Sequence, residues 1–207
     1  MEDLRKVKEI NRYVLITNHK YCDLFQEWAN KQKENIEIIN NGTCCNAERL
    51  GAVRDIQYAI DAANIDDDLF VTVGDYLINY SFTHFFDFAH EMKTSCIMYS
   101  YEASINCLKH SGVCEIVNER LVNLEEKPVK PKTHWCALPY YYYVKEDVHK
   151  IKEAIAQGCA TDAPGSLVNW MCANSEMHCM EMPGICFDVG NIFDYQKTTM
   201  TYVGVTL

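Results

Sequence analysis

DDDLFVTVGDYL, residues 66–77, is the most informative stretch of the chain for its fold. Residues 69–73 form a short run of apolar and β-branched side chains, the length of a strand buried on both faces, and the run stops at Gly74 and Asp75. Asp75 is therefore predicted to lie at the carboxyl end of a central strand, where ligands bind in open α/β sheets. A carboxylate there is well placed to hold a metal ion on a phosphate. The alternative is that Gly74 and Asp75 form only a turn that caps the next helix.

The composition is that of an ordinary globular protein, with 48% hydrophobic and 23% charged residues in a chain of 207. One domain, residues 1–207, is the expectation at this length. The net charge of -10 argues against nucleic acid as a partner, because phosphate backbones are bound by clustered Lys and Arg. No apolar run approaches the roughly 20 residues that span a bilayer. Met1 leads directly into charged residues, so we also expect no signal peptide and a cytoplasmic protein.

The cysteines are numerous and odd in number, eleven in all, and are scattered through predicted strands and helices. This distribution favours reduced thiols in the cytosol over a disulfide framework. Cys172, Cys179 and Cys186 recur every seven residues with His178 beside them, which leaves a zinc site as an alternative. No CxxC pair accompanies them, so we prefer the reading as free thiols.

Predicted strands and helices alternate through the first half of the chain, which is typical of βαβ units and a largely parallel sheet. The predicted strands are residues 12–17, 36–39, 69–73 and 96–101. The predicted helices are residues 1–10, 20–31, 48–63 and a segment that begins after Ser81.

The second half is predicted to make the sheet mixed. Two apolar segments, 113–117 and 121–124, flank Asn118 to Arg120 and indicate a β-hairpin. The tyrosine-rich strand at 140–144 is followed by predicted helices at 146–157 and 165–174 and by β-rich pieces at 186–195 and 199–207.

Three polar sites stand out against this apolar scaffold: Gly74-Asp75, the Glu126-Lys127-Pro128 loop, and FDVG at 187–190. Two aspartates that both end apolar strands could share one divalent cation. A lysine from a loop stiffened by proline could neutralise a phosphate.

Taken together and in this order, the motifs resemble those of the sugar-1-phosphate nucleotidyltransferases, the family of glucose-1-phosphate thymidylyltransferases and their uridylyl and cytidylyl relatives. The matching segments are RYVLITNHK, NGT, AERLGA, DDDLFVTVGDYL, SGVCEI, LEEKP, DAPG and FDVG, which span nearly the whole chain. The resemblance implies a three-layer α/β/α domain, a Rossmann-like nucleotide-diphospho-sugar transferase fold with a mixed, mostly parallel sheet. It also implies the reaction of a nucleoside triphosphate (NTP) with a sugar 1-phosphate at the α-phosphorus, giving an NDP-sugar and pyrophosphate.

The same resemblance implies roles for individual residues. Asp75 and Asp188 would hold the magnesium ion, and Lys127 would be the catalytic cation on the sugar phosphate. Glu126 would bind a sugar hydroxyl, and Gly112 would offer its main-chain N–H to the sugar. In such a site, positioning and charge neutralisation supply most of the catalysis. A homo-oligomer remains an open alternative.

Gly51 would lie against the nucleotide base. Glycine in the first turn of a helix costs about 1 kcal/mol relative to alanine, so its presence calls for a reason. One reason is the approach of a ligand to the main chain. The other, which the residues by themselves favour, is close packing of the helix on a strand.

The chain also departs from the family pattern. The family opens with a strand and a glycine-rich loop, G-x-G-T-R, that cradles the triphosphate, whereas no two glycines here lie closer than six residues apart. Tyr76 replaces a common Asn, and residues 137–139 replace a Thr-Gly that touches sugar in many members. We therefore expect an amino-terminally incomplete enzyme domain that is inactive by itself. The alternative is a non-catalytic remnant that binds a sugar nucleotide or a protein partner.

Overall fold

The computed structural model describes residues 1–202 of the chain. Its strands are β1 (Tyr13–Thr17), β2 (Ile36–Asn40), β3 (Leu69–Thr72), β4 (Tyr76–Ile78), β5 (Ser95–Tyr101), β6 (Gly112–Val117), β7 (Arg120–Glu126), β8 (Trp135–Tyr143), β9 (Met177–Glu181) and β10 (Cys186–Asp188). Its α-helices are α1 (Cys22–Ala29), α2 (Ala52–Ala63), α3 (Thr83–Met92), α4 (Ile105–Leu108), α5 (Lys145–Val148), α6 (Ile151–Ala156), α7 (Pro164–Asn174) and α8 (Ile192–Thr201). No helix in this range has the length and apolar character needed to cross a bilayer.

The strands form a mixed arrangement, as predicted, but the expectation of one mostly parallel sheet is wrong. β1 and β2 pair in parallel as a two-stranded sheet, and β4 and β10 pair antiparallel as another. The six remaining strands lie in the order β3-β8-β5-β9-β7-β6, in which only β5 and β9 run parallel. A further pairing, between Val113 of β6 and Cys136 of β8, closes five of these strands into a barrel-like ring.

Much of the antiparallel pairing involves β8. Its nine residues run between β3 and β5 and pair antiparallel with both of them. β3 is therefore an edge strand among the described residues, not the central strand that residues 69–73 suggested, and all its residues are half-buried. The predicted strand at residues 12–17 also lies in a different sheet from β3.

The core divides between two sides of the six-stranded sheet, and the tyrosines of β8 show how. Tyr141 and Tyr143 belong to a cluster that includes apolar residues of α2, α6 and α7. Tyr140 and Tyr142 belong to a second cluster built around α3. Successive side chains of a strand point to opposite faces, so four consecutive tyrosines supply both sides. The three-layer arrangement stays a prediction.

The hairpin in the second half is confirmed. β6 and β7 pair antiparallel around Asn118 and Glu119, whose φ angles are 52° and 63°. Positive φ at both central residues is the geometry of the type I′ turn, whose twist matches that of the flanking strands.

The two ends of the chain differ from the predictions. The predicted helix at 1–10 is only a 3₁₀ turn, Leu4–Lys6, after which Val7 adopts an extended conformation and is buried. Near the other end, Asn191 accepts hydrogen bonds from the N–H groups of Phe193 and Asp194 and begins α8. This cap places residues 199–201 in a helix, so their prediction as β structure is wrong. The rest of that predicted piece, residues 203–207, lies outside the described residues.

Candidate functional site

Asp75 and Asp188, which are 113 positions apart in the sequence, become neighbours in the structure. Antiparallel pairing of β4 and β10 sets Tyr76 opposite Asp188. Immediately beyond this pair, the main-chain N–H of Val189 donates to the carbonyl oxygen of Asp75 at 2.8 Å. Both aspartates are exposed, so their carboxylates are accessible from solvent.

Tyr76 is affected by the negative charges of Asp75 and Asp188. Its hydroxyl donates to Asp188 Oδ2 at 3.2 Å. Burial raises the pKa of Tyr76, and the negative charges of Asp188 and Asp75 are among the further causes that raise it. Both carboxylates therefore act on the same phenol. Tyr76, which the sequence marked only as a departure from the family, is a polar neighbour of the predicted metal ligands.

The donor set fits magnesium. Mg²⁺ is commonly bound through one or two carboxylates together with water and substrate phosphates, instead of by an all-protein cage. Asp75 and Asp188 supply such a pair of oxygen ligands. No group of three or more His, Cys, Asp or Glu side chains in residues 1–202 has the geometry of a metal site.

Glu126, Lys127 and Gly112 form a second group. Gly112 of β6 is the strand partner of Glu126 at the end of β7. The next residue, Lys127, turns the chain with a φ of 48°, and its main-chain N–H donates to the carbonyl oxygen of Ser111 at 2.9 Å. The Lys127 side chain is exposed, whereas Glu126 is half-buried. The hairpin therefore brings together three of the residues that the motifs selected.

The Glu126 carboxylate lies between two glycines. A Cβ atom on Gly112 would be 3.6 Å from Glu126 Oε1, and one on Gly165, in the first turn of α7, would be 2.0 Å from it. Burial raises the pKa of Glu126, while a hydrogen bond from the main-chain N–H of Gly165 and the charge of Lys127 lower it. Gly165 belongs to the DAPG motif, to which the sequence assigned no role.

A surface cleft of about 350 Å³ lies beside Glu126. Its other walls come from β7, from the loop between α6 and α7, and from α7, including the Trp170 ring. The Trp170 indole N–H donates to Gln157 Oε1 at 3.1 Å. The cleft thus combines an aromatic surface with amide and carboxylate groups.

Gly51 lies against protein. Its φ is 87°, and an added Cβ would be 2.4 Å from the carbonyl oxygen of Thr161. The N–H groups of Ala52 and Val53 donate to the carbonyls of Asp162 and Thr161 at 3.3 and 3.0 Å. On this side, Gly51 therefore packs closely against protein, as the alternative to a ligand contact predicted. The packing partner is the loop at Thr161 and Asp162, and not a strand as expected.

Tyr141 of β8 is buried. Burial raises the pKa of Tyr141, and the charges of Glu126 and Tyr76 raise it further. Gly51 is joined to the Thr161–Asp162 loop.

The structure gives the zinc alternative no support. Cys179 is buried in β9, whereas Cys172 lies on α7 and Cys186 on β10. His178 shares a hydrogen bond of 2.8 Å between its Nδ1 atom and the Thr94 hydroxyl. All eleven cysteines lie within the described residues and are free thiols.

Comparison with known proteins adds a family and a fold. A family model described as "Nucleotidyl transferase" matches residues 1–203. No curated protein matches the chain. A crystal structure from Bacillus anthracis, named as a glucose-1-phosphate thymidylyltransferase in complex with sucrose, is 18% identical with a TM-score of 0.80, over 99% of this chain and 81% of that one. An apo UDP-glucose pyrophosphorylase is 11% identical with a TM-score of 0.70, over 91% of this chain and 80% of that one. The TM-scores show a shared fold, and at identities this low the likeness shows the fold alone.

Proposed function

The chain belongs to the nucleotidyl transferase family, and we propose that it transfers a nucleotidyl group from an NTP to a sugar 1-phosphate. The observation that carries the proposal is the contact between Val189 and Asp75, because it brings the main chains of two exposed aspartates, Asp75 and Asp188, together at the junction of β4 and β10. Adjacent carboxylates suit a divalent cation that also binds phosphate oxygens.

The chemistry is a substitution at the α-phosphorus of the NTP. An oxygen of the sugar phosphate forms the new bond to this phosphorus, and the bond to the β-phosphate oxygen breaks. Pyrophosphate leaves with that electron pair, and the attacking phosphate oxygen has no proton to lose. The protein is therefore required chiefly to position the two anions and to offset their charge.

Each site residue has a part in this proposal. Asp75 and Asp188 hold the magnesium ion, which when bound supplies charge neutralisation at the phosphates. Lys127, exposed at the end of the hairpin, offsets the charge of the sugar phosphate. Glu126 accepts a hydrogen bond from a sugar hydroxyl, and the strand position of Gly112 opposite Glu126 brings its main chain to the same substrate.

Gly51 is the least supported member of the proposed site. Its main chain would lie against the base on the side away from the Thr161–Asp162 loop. The close contact with Thr161 supports a structural role whether or not a base binds.

A second candidate function is binding of a sugar nucleotide without turnover. The observation that favours it is the spacing of the glycines, which gives this sequence no glycine-rich phosphate loop. This candidate shares the binding residues with the first and differs only in the chemical step.

Two measurements test the proposal. Calorimetric titration of the 207-residue chain with UDP-glucose and with dTDP-glucose, with and without MgCl₂, should show magnesium-dependent binding that Asp75→Asn weakens. Pyrophosphate release from UTP or dTTP with glucose 1-phosphate then separates an enzyme from a binding protein. Absence of binding to either sugar nucleotide would contradict both candidate functions.

A further inference from the structure

We infer that Gly165 is a positioning residue, which holds the Glu126 carboxylate in the orientation that contacts the sugar. The inference rests on the proposed function, since it takes Glu126 to be a sugar-binding residue. Gly165 itself touches no substrate in this account and acts only through Glu126.

Gly165 is buried, and a Cβ atom there would lie 2.0 Å from Glu126 Oε1, 2.8 Å from Glu126 Cδ and 2.8 Å from Leu124 Cδ2. Any residue other than glycine would therefore have to displace the carboxylate, the leucine or the helix. Because α7 packs on β7 and Leu124 is fully buried, the carboxylate is the group with most freedom to move.

The backbone conformation of Gly165 gives no other reason for a glycine. The described glycines with positive φ are Gly42, Gly51 and Gly158, and Gly165 is not among them. In the first turn of a helix any residue can adopt the conformation of Gly165, and alanine is the more favourable choice by up to about 1 kcal/mol. The missing side chain is therefore explained by the space that Glu126 occupies.

The start of α7 also presents polar main-chain groups to Glu126. The first N–H groups of a helix have no partner within the helix, and Ala163, at the N-cap of α7, offers no side-chain acceptor. The main-chain N–H of Gly165 lowers the pKa of Glu126, so the start of α7 favours the carboxylate form. A carboxylate has about four acceptor sites, so its contact with α7 leaves others for a sugar hydroxyl.

The experiment compares Gly165→Ala with Glu126→Ala and with the double variant, using UDP-glucose with MgCl₂ as the calorimetric probe. Gly165→Ala should weaken binding by about 10- to 100-fold, the loss expected for a hydrogen bond to a charged group. The double variant should bind no more weakly than Glu126→Ala, because both changes remove the same contact. Losses that multiply in the double variant would overturn the inference.

Two further variants separate positioning from folding. Val168→Ala truncates a fully buried residue of the same helix, so it should lower stability while leaving the affinity for UDP-glucose unchanged. Glu126→Asp in the Gly165→Ala background shortens the acid by one methylene, and it should recover part of the lost affinity. Equal losses in Val168→Ala and Gly165→Ala would assign the effect to stability alone and overturn the inference.

A binding-independent measurement keeps this test separate from that of the proposed function. The Glu126 carboxyl is titrated by ¹³C NMR, with Glu126→Gln to assign its signal. In Gly165→Ala the carboxylate should move towards solvent, and its raised pKa should fall towards that of an ordinary glutamate. An unchanged titration would overturn the inference, even if the chain binds no sugar nucleotide and the proposed function fails.

Discussion

The main-chain N–H of Val189 donates to the carbonyl oxygen of Asp75 at 2.8 Å, and this hydrogen bond joins two segments that each end in a predicted metal ligand. Asp188 precedes Val189 directly, so the bond fixes the separation of the two aspartates through the main chain. Both side chains are exposed, and that of Asp188 accepts a hydrogen bond from the Tyr76 hydroxyl. The antiparallel pairing of β4 with β10 thus supplies a rigid base for the proposed site.

Asp188→Asn should lower the affinity for UDP-glucose in the presence of MgCl₂ by at least about 10-fold. Removal of a residue that only hydrogen-bonds to a metal ligand typically costs about 10- to 100-fold, and a direct ligand should cost no less. Without MgCl₂ the change should have little effect, because the carboxylate acts through the cation. Calorimetry under both conditions checks this. Asp87→Asn, at an exposed position of α3, is the matched control. Equal losses with and without magnesium would contradict the assignment.

Glu126→Gln should stabilise the fold at neutral pH while weakening sugar binding. Burial raises the pKa of Glu126, so the folded state binds its proton more tightly than the unfolded state does. Stability contributed by this group is therefore present at low pH and is lost as pH rises from near the unfolded value of about 4.3 through the folded pKa. Glutamine stays neutral at every pH, so the variant does not lose this stability as the pH rises.

Urea unfolding of both proteins at pH 4 and pH 7 measures the effect. The advantage of Glu126→Gln should be larger at pH 7, and an advantage that shrinks with rising pH would contradict the expectation. Glu125→Gln, at the exposed neighbouring position, should show no such trend.

Gly51→Ala should destabilise the fold more than Gly42→Ala. Both glycines have positive φ, 87° and 79°, so both substitutions incur backbone strain of about 1–3 kcal/mol. Only at Gly51 would the new Cβ also meet protein, 2.4 Å from the Thr161 carbonyl oxygen, whereas nothing lies within 4 Å at Gly42. The difference between the two free energies of unfolding isolates the contact, and equal values would argue against it.

Asp147→Ala should lower the free energy of unfolding by about 3 kcal/mol, as expected when a buried ionic hydrogen-bond network loses its acceptor. Asp147 is 3% exposed and accepts from the hydroxyls of Ser95 and Ser175, both at 2.5 Å. Lys150 Nζ lies 2.9 Å from its Oδ1 atom. These contacts tie α5 to β5 and to the end of α7. Urea denaturation measures the loss, and Glu146→Ala, one position earlier and exposed, should cost far less.

Alkylation by iodoacetamide should sort the cysteines by burial. Burial raises the pKa of Cys96 and of Cys179 to about 12, so at pH 8 only roughly one thiol in ten thousand at these positions is ionised. The exposed thiols of Cys44, Cys45 and Cys107 should react first. Peptide mass spectrometry follows the order, with the urea-unfolded chain as the control in which all positions react. Early labelling of Cys96 in the native protein would show that its side of the sheet opens.

Local patterns in the sequence were enough for several elements. The apolar stripe of Val53, Ile56 and Ile60 does form a helix whose buried face lies against the sheet. The hairpin follows from its flanking apolar segments, since adjacent antiparallel strands need only a short turn. Such elements depend on residues that are close together in the sequence, so they can be predicted from one sequence.

The sequence by itself determined that this chain alternates strands with amphipathic helices, and it selected Asp75, Asp188 and Glu126 as polar residues at strand ends. Only the tertiary structure decided which strands pair. The apolar run of a strand looks the same in the sequence whether its neighbour runs parallel or antiparallel to it. Thus β3 joins β8, some 70 residues away, and not β1. The role of Gly165 could not be predicted from the sequence either. Gly165 leaves space for the Glu126 carboxylate, which comes from another element, and this contact exists only in the folded chain.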